Sequence, residues 1–75
     1  MDELIRYIAA GLVEKPDKVS VNMKDEGDVT VIELSVAPDD MGKVIGKQGR
    51  IAKAIRAIVK AAGTQEEKKY VLEIV

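Results

Sequence analysis

The sequence predicts an α+β fold, with helices laid on one face of a three-stranded sheet, and three patterns in its 75 residues point there. Apolar residues recur at helical spacing near the start and again past the middle of the chain. Two segments alternate apolar and polar residues with a period of two, on either side of a turn. A β-branched stretch closes the sequence. In order these give α-β-β-α-α-β as one domain over residues 1–75. A chain this short has no room for a second domain, and it buries only about 60% of the surface its unfolded form exposes.

Each element has a local justification. Residues 2–14 read as a helix because Leu4, Ile5, Ile8, Ala9 and Leu12 share one face. Asp2 and Glu3 sit in its first turn, where the helix dipole favours acids, and Pro16 stops it. Residues 18–24 alternate, with Val19, Val21 and Met23 on one side of a strand. Asp25-Glu26-Gly27-Asp28 forms the turn to a second strand over 29–37, with Ile32, Leu34 and Val36 on its core face. Pro38-Asp39-Asp40 opens a short helix running to about Ile45. A long helix follows from about Arg50 to Ala62. In it Ile51, Ala54, Ile55, Ile58, Val59 and Ala62 span an apolar arc of about 140°. Gly63 is placed as its C-cap, and Tyr70–Val75 is the last strand.

Composition excludes several kinds of chemistry. There is no cysteine, so disulfides and thiolate metal sites are ruled out. There is no histidine either, which removes the usual general base near neutral pH. Asp39 and Asp40 are adjacent, and neighbours on a helix do not face each other, so they make a poor metal pair. No cofactor, metal, small-molecule substrate or catalysis is expected. Met1-Asp2-Glu3 is acidic, unlike a secretory signal, and no apolar run is long enough to span a bilayer. The expectation is a soluble cytoplasmic protein without membrane insertion.

A net charge of −1 hides a segregated layout. Residues 1–40 carry ten acids and four bases. Residues 41–63 carry six bases and no acid: Lys43, Lys47, Arg50, Lys53, Arg56 and Lys60. What attracts an anion is local potential, not the whole-chain sum. On the long helix Arg50, Lys53, Arg56 and Lys60 span an arc of about 120° opposite the apolar one. Arg50 and Lys53 lie nearest the preceding loop, whereas Arg56 and Lys60 read as a solvated face.

Met41–Ile51, MGKVIGKQGRI, carries the chemistry. Gly46 and Gly49 bound a four-residue loop that runs into a helix N-terminus, where free N–H groups and the dipole favour anions. Lys47 and Arg50 add charge, and Val44, Ile45 and Ile51 supply an apolar flank. The spacing fits neither a phosphate-binding Walker loop nor a dinucleotide fingerprint. Gly42 and Gly46 are one residue too close for the former, and the glycines follow a helix rather than a strand.

Val44-Ile45-Gly46-Lys47-Gln48-Gly49-Arg50-Ile51-Ala52 resembles the V-I-G-x-x-G-x-x-I signature of the KH domain, with Ala52 at the last position. The element order resembles a type II KH domain. Over essentially the whole chain the sequence is similar to the small stand-alone bacterial KH proteins of the KhpA (YlqC) family. The resemblance implies a three-stranded mixed sheet and binding of single-stranded RNA, the loop clamping about four nucleotides with low sequence selectivity. It implies that Gly46 and Gly49 admit the RNA backbone, that Lys47 and Gln48 meet phosphates, and that Val44, Ile45 and Ile51 form an aliphatic groove wall or the core beneath it. Arg50, Lys53 and Lys43 complete the expected RNA-binding set, while Ile32 and Leu34 are expected to be core.

The resemblance also implies a homodimer, or a heterodimer with a Jag/KhpB-type RNA-binding protein, acting in post-transcriptional regulation. The late turns of the long helix, around Ala57 and Ala61, are the expected interface. The alternative is a protein-interaction adaptor, a KH-fold dimerisation module with weak residual nucleic-acid binding.

Overall fold

In the computed structural model, which describes residues 1–75, all six elements are present, and capping sets their ends more than hydrophobic period does. Helix α1 covers Asp2–Leu12, two residues short of the expected end. Val13 is already extended, and its N–H closes the last turn on the Ala9 carbonyl. Pro16 opens a 3₁₀ turn over Pro16–Lys18, where its fixed φ and missing N–H suit the first position.

Strands β1 (Ser20–Glu26) and β2 (Val29–Ser35) pair antiparallel, from Ser20 opposite Ser35 to Glu26 opposite Val29. Asp25 and Glu26 therefore belong to β1 rather than to the turn, and only Gly27 and Asp28 connect the strands. Gly27, at φ 75°, holds the first central position, which a II′ hairpin reserves for glycine. Strand β3 (Lys69–Ile74) lies parallel to β2, with Val29 opposite Lys69 and Leu34 opposite Ile74. The sheet is mixed, in the order β1-β2-β3. Parallel neighbours need a crossover. Helices α2 (Met41–Ile45) and α3 (Arg50–Gln65) make it, after a separate 3₁₀ turn at Pro38–Asp40.

The helices cover one face of the sheet, and the alternation of β2 decides which. Ile32 and Leu34 are fully buried, together with Leu72 of β3, Ile5 and Ala9 of α1, Val44 of α2, and Ile55 and Val59 of α3. Helix α3 is rolled relative to its expected apolar arc. Ala52, Ile55, Val59 and Gly63 face the core, while Ala54 and Ile58 are exposed. The close approach at Gly63 accounts for the roll. A Cβ there would lie 2.7 Å from the Lys68 carbonyl oxygen and 3.0 Å from Cδ2 of Tyr70.

Gly63 is therefore not the C-cap. The helix runs on to Gln65 and closes with a Schellman arrangement. The Lys68 N–H donates to the Gly63 carbonyl (2.8 Å) and the Glu67 N–H to that of Thr64 (3.2 Å). Glu67, at φ 56°, occupies the left-handed position usually given to glycine. Gly63→Ala is accordingly expected to lower stability by about 1–3 kcal/mol through overpacking. Gly11→Ala on α1 meets no atom within 4 Å and should raise it by about 0.4–1 kcal/mol. Urea denaturation of the two variants measures both.

Candidate nucleic-acid interface

The two crossover helices meet at the glycine-bounded loop. Gly46 caps α2 at φ 77° and ψ 174°, its N–H returning to the Gly42 carbonyl at 2.8 Å. Lys47–Gly49 form one tight 3₁₀-type turn, broken at Gln48 (φ 58°, ψ 25°) and closed by the Gly49 N–H on the Gly46 carbonyl at 3.2 Å. Gly49, at φ 74°, is the N-cap of α3.

The two glycines serve different ends. A Cβ on Gly46 would lie 2.6–2.9 Å from side-chain atoms of Ile51, whereas one on Gly49 would meet nothing within 4 Å. Gly46 lets Ile51 seat against the loop. Gly49 needs glycine for its dihedral and leaves the space above it open.

Around this turn Lys47, Gln48, Arg50 and Lys53 are all exposed, and Arg50 Nη2 donates to Gln48 Oε1 at 3.4 Å. The aliphatic flank divides. Val44 is fully buried in the core, Ile51 is half-buried, and Ile45 is exposed beside the loop. Ile45 and Ile51 thus offer the apolar surface, with Val44 beneath it.

Lys43 differs from the other bases of its run. Its Nζ lies 2.8 Å from Glu14 Oε1 and 3.7 Å from Asp40 Oδ1. The hydrogen bond to Glu14 chiefly holds its pKa above the ordinary lysine value, against some desolvation. Asp40 is only 1% exposed and accepts the backbone N–H groups of Glu14 (3.3 Å) and Lys15 (3.1 Å). Burial alone would raise its pKa. The two N–H bonds and the Lys43 ammonium outweigh burial and hold the carboxyl below the usual aspartate value. Asp39 instead pairs with Lys15 on the surface at 3.4 Å, so the two adjacent carboxylates turn to different partners. No group of three or more acidic side chains in the structure could hold a metal ion. Lys47, Arg50, Lys53, Arg56 and Lys60 have no acidic partner within salt-bridge distance.

Arg56 and Lys60 are exposed, as a solvated face requires, and they also border a cleft. With Val59 they form one wall of a cleft of about 320 Å³, whose other wall is Lys69, Tyr70, Val71 and Leu72 of β3. The cleft continues the basic side of α3 toward an edge strand whose outer side has no partner. Tyr70 donates its hydroxyl to Glu66 Oε1 at 3.1 Å, and partial burial, aided by Glu66, pushes its pKa up. The spacing of Arg56 and Lys60 around Val59 is visible in the sequence. That Lys69 and Tyr70 stand across from them follows only from the parallel pairing of β3.

A family model described as "KhpA/KhpB, KH domain" matches residues 2–74. The chain is 57% identical over 75 residues to a protein named RNA-binding protein KhpA from Clostridium perfringens, covering all of both chains. It is 56% identical over 75 residues to the protein of that name from Caldanaerobacter subterraneus, again covering all of both. The Listeria monocytogenes protein of that name is 48% identical over 75 residues, which is all of this chain and 99% of that one. No helix is long and apolar enough to cross a membrane.

The asymmetry of the loop glycines has a measurable consequence. Gly49→Ala should cost about 1–2 kcal/mol, from the left-handed dihedral alone. Gly46→Ala should cost more, because about 1–3 kcal/mol of overpacking against Ile51 is added. Equilibrium urea unfolding gives the order, and equal losses would contradict the assigned contact.

Proposed function

The chain belongs to the KhpA/KhpB KH-domain family, and from that membership we propose that it is a non-catalytic binder of single-stranded RNA. In this reading the Gly46–Gly49 loop clamps the backbone of about four nucleotides. The observation that carries it is the row of five unpaired cations, Lys47, Arg50, Lys53, Arg56 and Lys60, that starts at the loop and ends in the β3 cleft. The names of the relatives point the same way.

Phosphate approaches over Gly49, where the surface is open, and meets Lys47, Arg50 and the positive end of α3. Gln48 offers an uncharged amide to the same backbone. Bases lie against Ile45 and Ile51, whose aliphatic surface is sequence-tolerant. From Arg50 to Lys60 the helix advances about 15 Å, a path for the strand toward Tyr70 and the apolar floor of Val59 and Leu72.

Two to four phosphate contacts give weak binding, with a salt slope of about −0.7 per contact. A second copy raises the effective concentration without a new RNA contact. Ala54, Ala57, Ile58 and Ala61 are exposed along the side of α3 turned from the core. They support a homodimer, or a heterodimer with a Jag/KhpB-type protein, through the late turns of that helix. The same stripe is what favours the adaptor reading, in which partner capture is the main activity.

Lys47→Asp/Gln48→Asp is expected to weaken binding of a short fluorescent RNA by about tenfold or more, since charge-assisted hydrogen bonds are worth roughly 1.5–3 kcal/mol each. Fluorescence anisotropy measures it, and a folded variant binding like wild type would remove the loop from the site. Ile58→Lys should convert a dimer to a monomer in sedimentation equilibrium. A wild-type protein that is monomeric at high concentration would refute the self-association. Partner capture that survives the loop change, with no RNA affinity at low salt, would establish the adaptor instead.

A further inference from the structure

The only buried charged side chain of the protein, Asp40, lies six residues before the loop. Helix α2 has five residues, too few to be stable alone, yet it carries the loop at its C-terminal end. Asp40 is its N-cap residue, but the carboxylate makes no capping bond to α2. It turns instead to the chain leaving α1 and takes the Glu14 and Lys15 N–H groups, the last two donors before Pro16. Glu14 then reaches back to Lys43, one turn further along α2. The two segments are thus joined in both directions, with backbone donors to Asp40 and a carboxylate to Lys43.

We propose that Asp40, together with the Lys43–Glu14 pair, is a clasp that fixes the direction in which α2 presents the loop. Asp40, Glu14 and Lys43 are then positioning residues for RNA binding, and Lys43 is not a phosphate ligand. The inference rests on the RNA-binding reading above.

The geometry gives the clasp its leverage. Asp40 and Gly46 are six residues apart, about 9 Å along the helix. About the buried Val44, two residues or about 3 Å before Gly46, a tilt of about 10° moves the start of the loop by about 0.5 Å. Hydrogen-bond distances to a phosphate tolerate a range of only about 0.5 Å. Val44, fully buried one residue before the end of α2, anchors the helix in the core, so the clasp at the Asp40 end sets the remaining freedom, the direction of the helix axis about that anchor. Lys43 already faces two carboxylates, so moving it to a phosphate would give up its bond to Glu14 and remove the ammonium beside the buried Asp40.

The test uses the whole chain and a fluorescein-labelled octauridine, titrated by anisotropy at several salt concentrations. The variants are Glu14→Gln/Lys43→Gln, Asp40→Asn and Lys47→Gln. The double variant keeps the net charge and leaves both backbone bonds to Asp40, so it remains informative if Asp40→Asn fails to fold. Denaturation curves fix the folded fraction, and amide hydrogen exchange reports the order of residues 46–50.

The expected result for the double variant is binding weaker by about threefold or more, an unchanged salt slope and faster loop exchange, with the fold intact. Lys47→Gln should instead flatten the slope by about 0.7. A slope flattened by the double variant would make Lys43 a phosphate ligand and overturn the proposal. Unchanged affinity beside lowered stability would reduce the clasp to a structural tie and overturn it equally. If Lys47→Gln also leaves binding unchanged, the RNA-binding reading itself fails.

Discussion

The parallel pairing of β2 with β3 is the constraint on which the remaining structure depends. A hairpin turn cannot join two parallel neighbours, so the chain must cross the face of the sheet between them. Helices α2 and α3 are that crossing. Because Lys69 enters the sheet opposite Val29, α3 has to return the chain to the end where β2 begins. The loop joining the helices is thereby carried toward the end where β2 finishes. The same pairing leaves the outer side of β3 without a strand neighbour, beside the basic side of α3. Loop, basic row and cleft are consequences of one strand direction.

The loop itself depends on a second, local contact. The side chain of Ile51 occupies the space that a Cβ of Gly46 would need, so the two helices can turn sharply without parting. That leaves Ile51 half-buried and Ile45 exposed, an apolar ledge directly beneath a cluster of cations. Charge is placed with equal economy. Acids that could neutralise the basic segment are confined to other elements. The one base they do reach, Lys43, points back into the α1 connection rather than out from the loop.

Much of this was legible in the residues, and what was not has a physical cause. The alternation of Ile32 and Leu34 identified the core face of β2, because burial on one face of a strand imposes a period of two, and Val36, just past the end of the strand, is buried as well. The loop was legible from Gly46 and Gly49. The ends of α3 and β1 were not. Gly63 has the look of a cap, but its lack of a side chain answers a neighbour, the Lys68 carbonyl, that only the tertiary structure supplies. Asp25 and Glu26 are turn-forming residues, held in strand by the two-residue connection at Gly27 and Asp28. The partners of Asp40 lie 25 and 26 residues away and include backbone N–H groups, which have no signature in a sequence.

Helix α3 shows why the periodicity of a short chain misleads. Its apolar residues cover two separate faces, one with Ile55 and Val59 packed on the sheet and one with Ala54 and Ile58 in solvent. Averaged over the helix they read as one broad arc whose centre lies between the two. In a domain of 75 residues few helix faces are available: on α3 one packs on the sheet, one carries the unpaired cations and one the exposed alanines. A small core leaves little stability in reserve. Whatever binds the folded form alone, whether RNA on the basic side or another chain on the alanine stripe, adds to that reserve by mass action. On the proposed reading, the faces of α3 that contribute nothing to the isolated core are therefore the ones through which binding would raise the stability of the whole.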